Sequence, residues 1–478
     1  MGDVIVVGAG FGGLAAAIVL AARGRRVRVL EAGPAAGGKA GTATVDGATF
    51  DTGPSMLTLP DVFDGLFREG GARLADFVTL RQARPAFRYT WADGAALDLD
   101  PDLQTSLNAV KLAFGADAER QLSAYLADVR RIWEKGGERF VRGPAPGLHL
   151  LQSPMNLLSL TAVDPLRTLA TAIDGRVREP HLAMLLRRFA TYNGSDPRKT
   201  PATLGCIAHV ELALGGFGID GGVGALVAAL VALAERLGVG FEYGRPVRKI
   251  LVAGGRATGV ETDTGTLSAD AVVANADAAA VLGGMAPGKP VTGERSMSGW
   301  TCVVRSARRP RPANAVAFPA DYGAEFADLF DRRRPPADPT VYACAQGVAH
   351  GLPGWPDAEP VFLMANAPAE SAPTAPHVWS TLRDRVLARA VAAGMIAAGE
   401  PVVWERTATD LAARFPGTGG AIYGLASHGP WSAFQRPSSR TTTRGLYLAS
   451  GSAHPGGGMP LCAISGRLAA DALIEDRP

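Results

Sequence analysis

Hydrophobic positions in this chain come in short uncharged runs broken by glycine. The first run, "VIVVGAGFGGLAAAIVLAA", carries no charge from 4 to 22. It is about as long as a membrane-spanning helix. Its glycines, however, cluster as a turn requires, and no basic stretch precedes it. The pattern predicts a buried strand over 4–7, a glycine turn, an alanine-rich helix over 14–23 and a buried strand over 27–30, ended by Glu31. Mid-chain, "GGVGALVAALVALAERLGVGFEYG" reads as a helix running into a strand. "VRKILVAGGRATGVET" alternates around Gly254 and Gly255 as a hairpin does. Near the end, the apolar "GLYLA" enters "SGSAHPGGGMP", and "LCAISGRLAADALI" leaves it with helical spacing. Strands alternating with helices predict an α/β fold.

Composition adds bounds. At 478 residues, 47% hydrophobic and 19% charged, the chain can bury a large core and is not disordered. A net charge of +3 gives no case for nucleic acid. Four cysteines lie far apart, which suggests neither a disulfide framework nor a zinc site. The histidines, including His149, His428 and His454, show no ligand spacing, so no metal is expected.

Gly8, Gly10 and Gly13 form GxGxxG between a strand and a helix, with a second strand and Glu31 following. Glycines permit the tight turn and close backbone approach, the helix N-terminus favours phosphate, and the acid suits ribose hydroxyls. Strand, helix, strand and acid together point to a dinucleotide. The segment 147–173 is strongly apolar, with only Asp164 and Arg167 charged, and Arg139, Arg142, Arg176 and Arg178 flank it. Leu166, Leu169 and Ile173 share one helical face. Two readings stand: a helix lying on an anionic membrane surface, or an ordinary buried wall.

Gly37-Gly38-Lys39 after the acid, "FDTGPSMLTLP" and the C-terminal glycine loop resemble flavoproteins of the amine oxidase and carotenoid desaturase superfamily. "RRFATYNGSDPRKTPATL", "RFPGTGGAIYG" and "LASHGPWSAFQRP" are similar to the hydroxyneurosporene (methoxyneurosporene) desaturase branch. The resemblance implies a discontinuous Rossmann-type FAD-binding domain, over 1–80, 212–285 and 425–478, with an inserted mixed sheet-plus-helix substrate domain over 81–211 and 286–424. It implies FAD contacts at Gly8, Gly10, Gly12, Gly13, Glu31 and Ala32. Further contacts follow at Gly37, Gly38, Lys39, Gly53, Pro54, Ser55 and Val247, then at Gly451, Ser452, Gly458, Met459 and Pro460. The implied activity is C-3,4 desaturation of acyclic hydroxy- or methoxy-carotenoids, by a peripheral enzyme on the cytoplasmic face of the membrane. Alternatives are a phytoene desaturase and a non-catalytic prenyl carrier of the same fold. Oligomeric state stays open.

His454, in the glycine loop, is the candidate base, and a loop-ordering hydrogen bonder is the other reading of it. Tyr192, Phe217, Trp300 and Trp431 are candidates for the wall of an apolar substrate tunnel, although an aromatic is also ordinary core.

Overall fold

The computed structural model describes residues 3–147, 163–370 and 372–476. The N-terminal pattern folds as read. Strand β1 (Asp3–Val7) leads into helix α1 (Phe11–Ala22) and strand β2 (Arg26–Leu30). Helix α2 (Val223–Arg236) precedes strand β3 (Gly240–Glu242), and β4 (Ala271–Ala274) follows the hairpin. Strand β5 (Leu446–Leu448) precedes helix α3 (Met459–Asp476). The five strands form one parallel sheet in the order β5-β4-β1-β2-β3, drawn from three distant stretches of chain. Such a sheet is covered on both faces, which is why Val4–Val7, β4 and β5 read as apolar runs, while β2 keeps Arg26 and Arg28 and β3 is only partly buried.

Helix α1 is apolar all round because it is covered all round. Leu14 through Leu20 are fully buried between the sheet, α2 and α3. The α1–α3 crossing is close: a Cβ on Gly466 of α3 would lie 2.1 Å from the Gly12 carbonyl oxygen and 2.9 Å from Ala15 Cβ. The N-terminal and C-terminal segments therefore pack backbone to backbone.

A second sheet of seven strands fills the rest, in the order 402–406, 298–307, 358–367, 341–345, 314–317, 87–90 and 96–99. Its pairings are antiparallel except between 314–317 and 87–90. It joins stretches from both sides of the parallel sheet's middle segment. A three-stranded antiparallel sheet contains the predicted hairpin, Val247–Ala253 with Arg256–Thr262.

Of the apolar segment 147–173, residues 148–162, His149 among them, lie outside the described residues. In the described part, Leu169 and Ile173 are fully buried in the helical core beside the second sheet, and Leu166 is exposed. The common face expected of these three is thus split: the short helix Leu169–Asp174 spends its apolar side on the protein's own core. Arg142 and Arg176 pair with Asp61 and Asp128. Among the described residues, no helix is long and apolar enough to cross a membrane.

Asp51 anchors the start of α2, where no side chain of the helix's own caps the first turn. Its carboxylate accepts the N–H groups of Val223 at 2.6 Å and Gly224 at 3.0 Å. Burial pushes its pKa up to about 6, against the pull of those two bonds. The folded chain therefore holds this proton more tightly than the unfolded chain. Stability from this group falls as pH rises from about 4 to about 6, by about 3 kcal/mol in all. Asp51→Asn keeps an acceptor for the helix and should flatten that part of the stability profile. Urea midpoints at pH 4.5 and 7 compare the two; parallel wild-type and variant profiles would refute it.

Candidate active site

The carboxyl ends of β1, β2, β4 and β5 open on a cavity of about 1850 Å³. Parallel sheets bind ligands in this crevice, where the strand order reverses. The volume exceeds the roughly 300–1,000 Å³ of a small-molecule pocket, so it has room for a nucleotide and a second long ligand. Gly8, Gly10 and Gly12 of the first loop form part of its wall. Gly13 does not reach it and instead packs against the Gly8 carbonyl, where a Cβ would come within 2.0 Å. The first turn of α1 has no side-chain cap and no acidic residue, so its N–H groups remain for an anion.

Glu31 stands at the end of β2. One carboxylate oxygen accepts Ala9 N–H and the other Gly33 N–H, each at 2.7 Å. Those bonds fix the carboxylate and leave lone pairs for a diol. Ala32 and Val247 line the same wall. Asn275, just past β4, was not singled out by sequence. Its Oδ1 accepts Gly10 N–H at 3.0 Å and its Nδ2 donates to the Ala449 carbonyl. It clamps the first glycine loop to the end of β5.

Gly37, Gly38, Lys39, Gly53, Pro54 and Ser55 continue the wall, and Gly451, Ser452, Gly458, Met459 and Pro460 close it from the C-terminal side. Lys39 Nζ donates to the carbonyls of Ala421 at 3.0 Å and Ile422 at 2.7 Å. Burial lowers its pKa from the ordinary lysine value. An uncapped helix start, a fixed carboxylate one strand away and a hairpin edge suit a pyrophosphate, a ribose and an adenine in turn. The residues present fit a dinucleotide.

The model of the family described as flavin containing amine oxidoreductase matches residues 11–289. The chain belongs to that family. It is a flavin-dependent oxidoreductase, and FAD is the flavin its dinucleotide site takes. The chain is 35% identical to hydroxyneurosporene desaturase of Rubrivivax gelatinosus, over 98% of its own length and 93% of the relative's. It is 30% identical to 1-hydroxycarotenoid 3,4-desaturase of Flavobacterium sp. (strain P99-3), over 99% of both chains. The solved structure of cyclohexylamine oxidase from Brevibacterium oxydans IH-35A shares the fold, with a TM-score of 0.62 at 17% identity, over 99% of both chains.

Four side chains expected to act in this flavoprotein have other tasks. His454 is buried and does not border the cavity. Its Nε2 bonds the Gly143 carbonyl at 3.0 Å, its ring meets Phe140 edge-on, and burial drops its pKa to about 4. It orders the loop against the segment at 140–143. His454→Gln should cost stability but leave substrate-dependent flavin reduction within about threefold, since a catalytic acid or base contributes about 10²–10⁴. Stopped-flow reduction rates check this. Trp300 points away from the cavity: its strand neighbours Gly299 and Thr301 line the wall, so period-two alternation turns Trp300 to the opposite face. There its Nε1 donates to Glu405 at 2.7 Å. Phe217 pairs its backbone with Leu57 and faces a small pocket that shares Ser55, Met56, Phe87 and Glu211 with the main cavity. Trp431 is 66% exposed and stacks obliquely on Phe434.

Tyr192 does line the cavity. Around it the structure gathers Arg188, Glu211, Tyr322 and Tyr342, none of which was picked from the sequence. His428 is structural: Nε2 accepts the N–H of Asp196 at 2.9 Å, so Nδ1 donates to Glu294 at 2.8 Å. Among the described residues, no group of three His, Cys, Asp or Glu side chains is placed to hold a metal ion.

Proposed function

We propose that this flavoprotein introduces a C-3,4 double bond into acyclic carotenoids bearing a 1-hydroxy or 1-methoxy end. The observation that carries the reading is the nearly full-length identity with hydroxyneurosporene desaturase, matched to a cavity too large for the nucleotide alone.

Bound FAD supplies the two-electron acceptor. The chain's own part is to bind, orient and exclude water. Apolar side chains such as Ile207, Val210, Phe362 and Met364 line the cavity, as an apolar rod requires. The turn at Gly53, Pro54 and Ser55 and the loop at Gly457 and Gly458 close on the cavity from opposite ends of the sequence. Substrate C–H bonds adjacent to the polyene are the reactive ones, because the conjugated chain spreads the charge that develops there.

The substrate dissolves in bilayers, so we also propose that the enzyme works from a membrane surface, peripherally, on the cytoplasmic face. Exposed Leu166, Trp431 and Phe434 adjoin or belong to cavity-lining stretches and supply apolar area for docking. Expression in a host that accumulates hydroxyneurosporene, followed by pigment chromatography, tests the activity. A new pigment with one more conjugated bond supports it, and unchanged pigment in the presence of flavin-loaded enzyme counts against it. Flotation with anionic liposomes tests docking: a folded Trp431→Asp/Phe434→Asp variant that floats as well as wild type removes these two side chains from it.

A further inference from the structure

Away from the loops that suit the dinucleotide, the cavity wall carries a polar cluster among apolar side chains. Arg188 is only 8% exposed, and its guanidinium lies 5.0–5.9 Å from the ring centroids of Phe87, Tyr89, Tyr192 and Tyr342. Its Nη1 donates to Tyr192 Oη at 3.1 Å, and the tyrosine hydroxyl in turn faces Glu211. Glu211 is 5% exposed, and neither of its carboxylate oxygens takes a well-formed hydrogen bond. Burial raises its pKa above the ordinary carboxylate value, with Arg188 and Tyr192 pulling the other way. Buried polar groups are normally bonded, and Glu211 has only the Tyr192 hydroxyl and the charge of Arg188 beside it, so a carboxylate with lone pairs to spare calls for a ligand.

Position decides which ligand. Tyr342 Oη lies 2.6 Å from Ser55 Oγ, in the turn with Gly53 and Pro54. A Cβ on Gly53 would come within 2.2 Å of the Lys39 carbonyl oxygen, so the polar patch adjoins the wall that suits the dinucleotide. In a 1-hydroxy carotenoid the oxygen-bearing carbon is two bonds from C-3, so the oxygen must lie close to the reacting bond.

We propose that Arg188, Tyr192 and Glu211 form the subsite that recognises the oxygen at the substrate's end. A hydroxyl donates to Glu211 and accepts from Tyr192 or Arg188, and a methoxy oxygen accepts from Tyr192 or Arg188 alone. A hydrocarbon end leaves all three unanswered, and sites built to bond a hydroxyl reject the analogue lacking it by up to roughly 10⁴-fold. The inference rests on the carotenoid reading above and adds the residues that select within it.

The test compares kcat/KM of the flavin-loaded full chain on hydroxyneurosporene and on neurosporene, which lacks the hydroxyl. Wild type should prefer the hydroxylated pigment by about 100-fold or more. Tyr192→Phe should cut the preference about tenfold. Arg188→Met combined with Glu211→Leu should bring it to within a few-fold, with neurosporene turnover kept or raised. The double change avoids leaving one buried charge alone, as either single change would. Bound flavin and a melting curve confirm the fold, and if the double variant fails there, Tyr192→Phe decides. Pigment binding followed by the shift of the polyene absorption should track the same order. A wild type without preference, or variants that lose both activities in proportion, overturns the subsite while leaving the desaturase reading intact. A flavin-loaded wild type that converts neither pigment overturns both.

Discussion

Gly12→Val should give a folded but colourless protein. A Cβ at position 12 would sit 2.3 Å from the Ala449 carbonyl oxygen and 2.7 Å from Asn275 Nδ2. No flexible side chain absorbs that overlap from Ala449, since the atom is backbone. The end of β5 and the first turn of α1 must part, and the N–H groups aimed at the phosphates move with them. Overpacking of this kind costs about 1–3 kcal/mol. Because the strain falls on the groups that hold the nucleotide, most of it should appear as lost flavin affinity, about 100-fold or 2.8 kcal/mol. Flavin absorbance per chain and a titration of the apo-protein with FAD measure it. Full flavin content in the variant would show that the two termini do not meet as described.

Arg436→Leu should be the most damaging single change away from the glycine loops. Arg436 is buried, and its guanidinium donates to the carbonyls of Tyr423 at 3.0 Å, Gly451 at 3.2 Å and Leu425 at 2.9 Å, and to Asn193 Oδ1 at 3.0 Å. Burial lowers its pKa to about 10, still charged at neutral pH. Leucine fills part of the volume but orphans three carbonyls and an amide oxygen. Each buried unsatisfied group costs about 1–3 kcal/mol, so the four together should cost about 4 kcal/mol or more, a large share of a typical 5–15 kcal/mol. Lysine should rescue little, since one ammonium cannot reproduce the planar fork. A urea midpoint equal to that of wild type would contradict the assignment.

What was legible in the sequence was local. Strand β1 from Val4 on and helix α1 were visible because they are buried and read as uncharged runs with glycine punctuation, and β2 because its apolar residues alternate with Arg26 and Arg28. The C-terminal loop was visible because so many glycines between a strand and a helix need a reason. Asn275 and Arg436 were invisible because each ties in a distant segment, Asn275 to Gly10 over 265 residues and Arg436 to Asn193 over 243, and one polar side chain carries no local signal for that. The seven-stranded sheet was equally hidden, because half of its pairings, 87–90 with 314–317, 298–307 with 358–367 and 298–307 with 402–406, join strands that do not follow one another in the chain. His454 shows how proximity along the chain misleads: it belongs to the right loop but faces Phe140 and Gly143, not the cavity. Trp300 could have been excluded by register, since small Gly299 and polar Thr301 mark the opposite face of the strand. Arg188 and Glu211 were not picked out, because a single charge carries no local sign of burial and only tertiary packing places them inside.

The order of strands in the parallel sheet has a consequence for synthesis. On the ribosome β1 emerges first with only β2 for company, and β4 and β5 follow some 270 and 445 residues later. Until then one edge of the nascent sheet stays bare, and the lid on the nucleotide does not exist. Parallel pairings so far apart form slowly and expose aggregation-prone edges meanwhile. Capture of the cofactor is therefore a late, post-translational event, and riboflavin-starved cells should accumulate this chain chiefly as chaperone-bound or insoluble material.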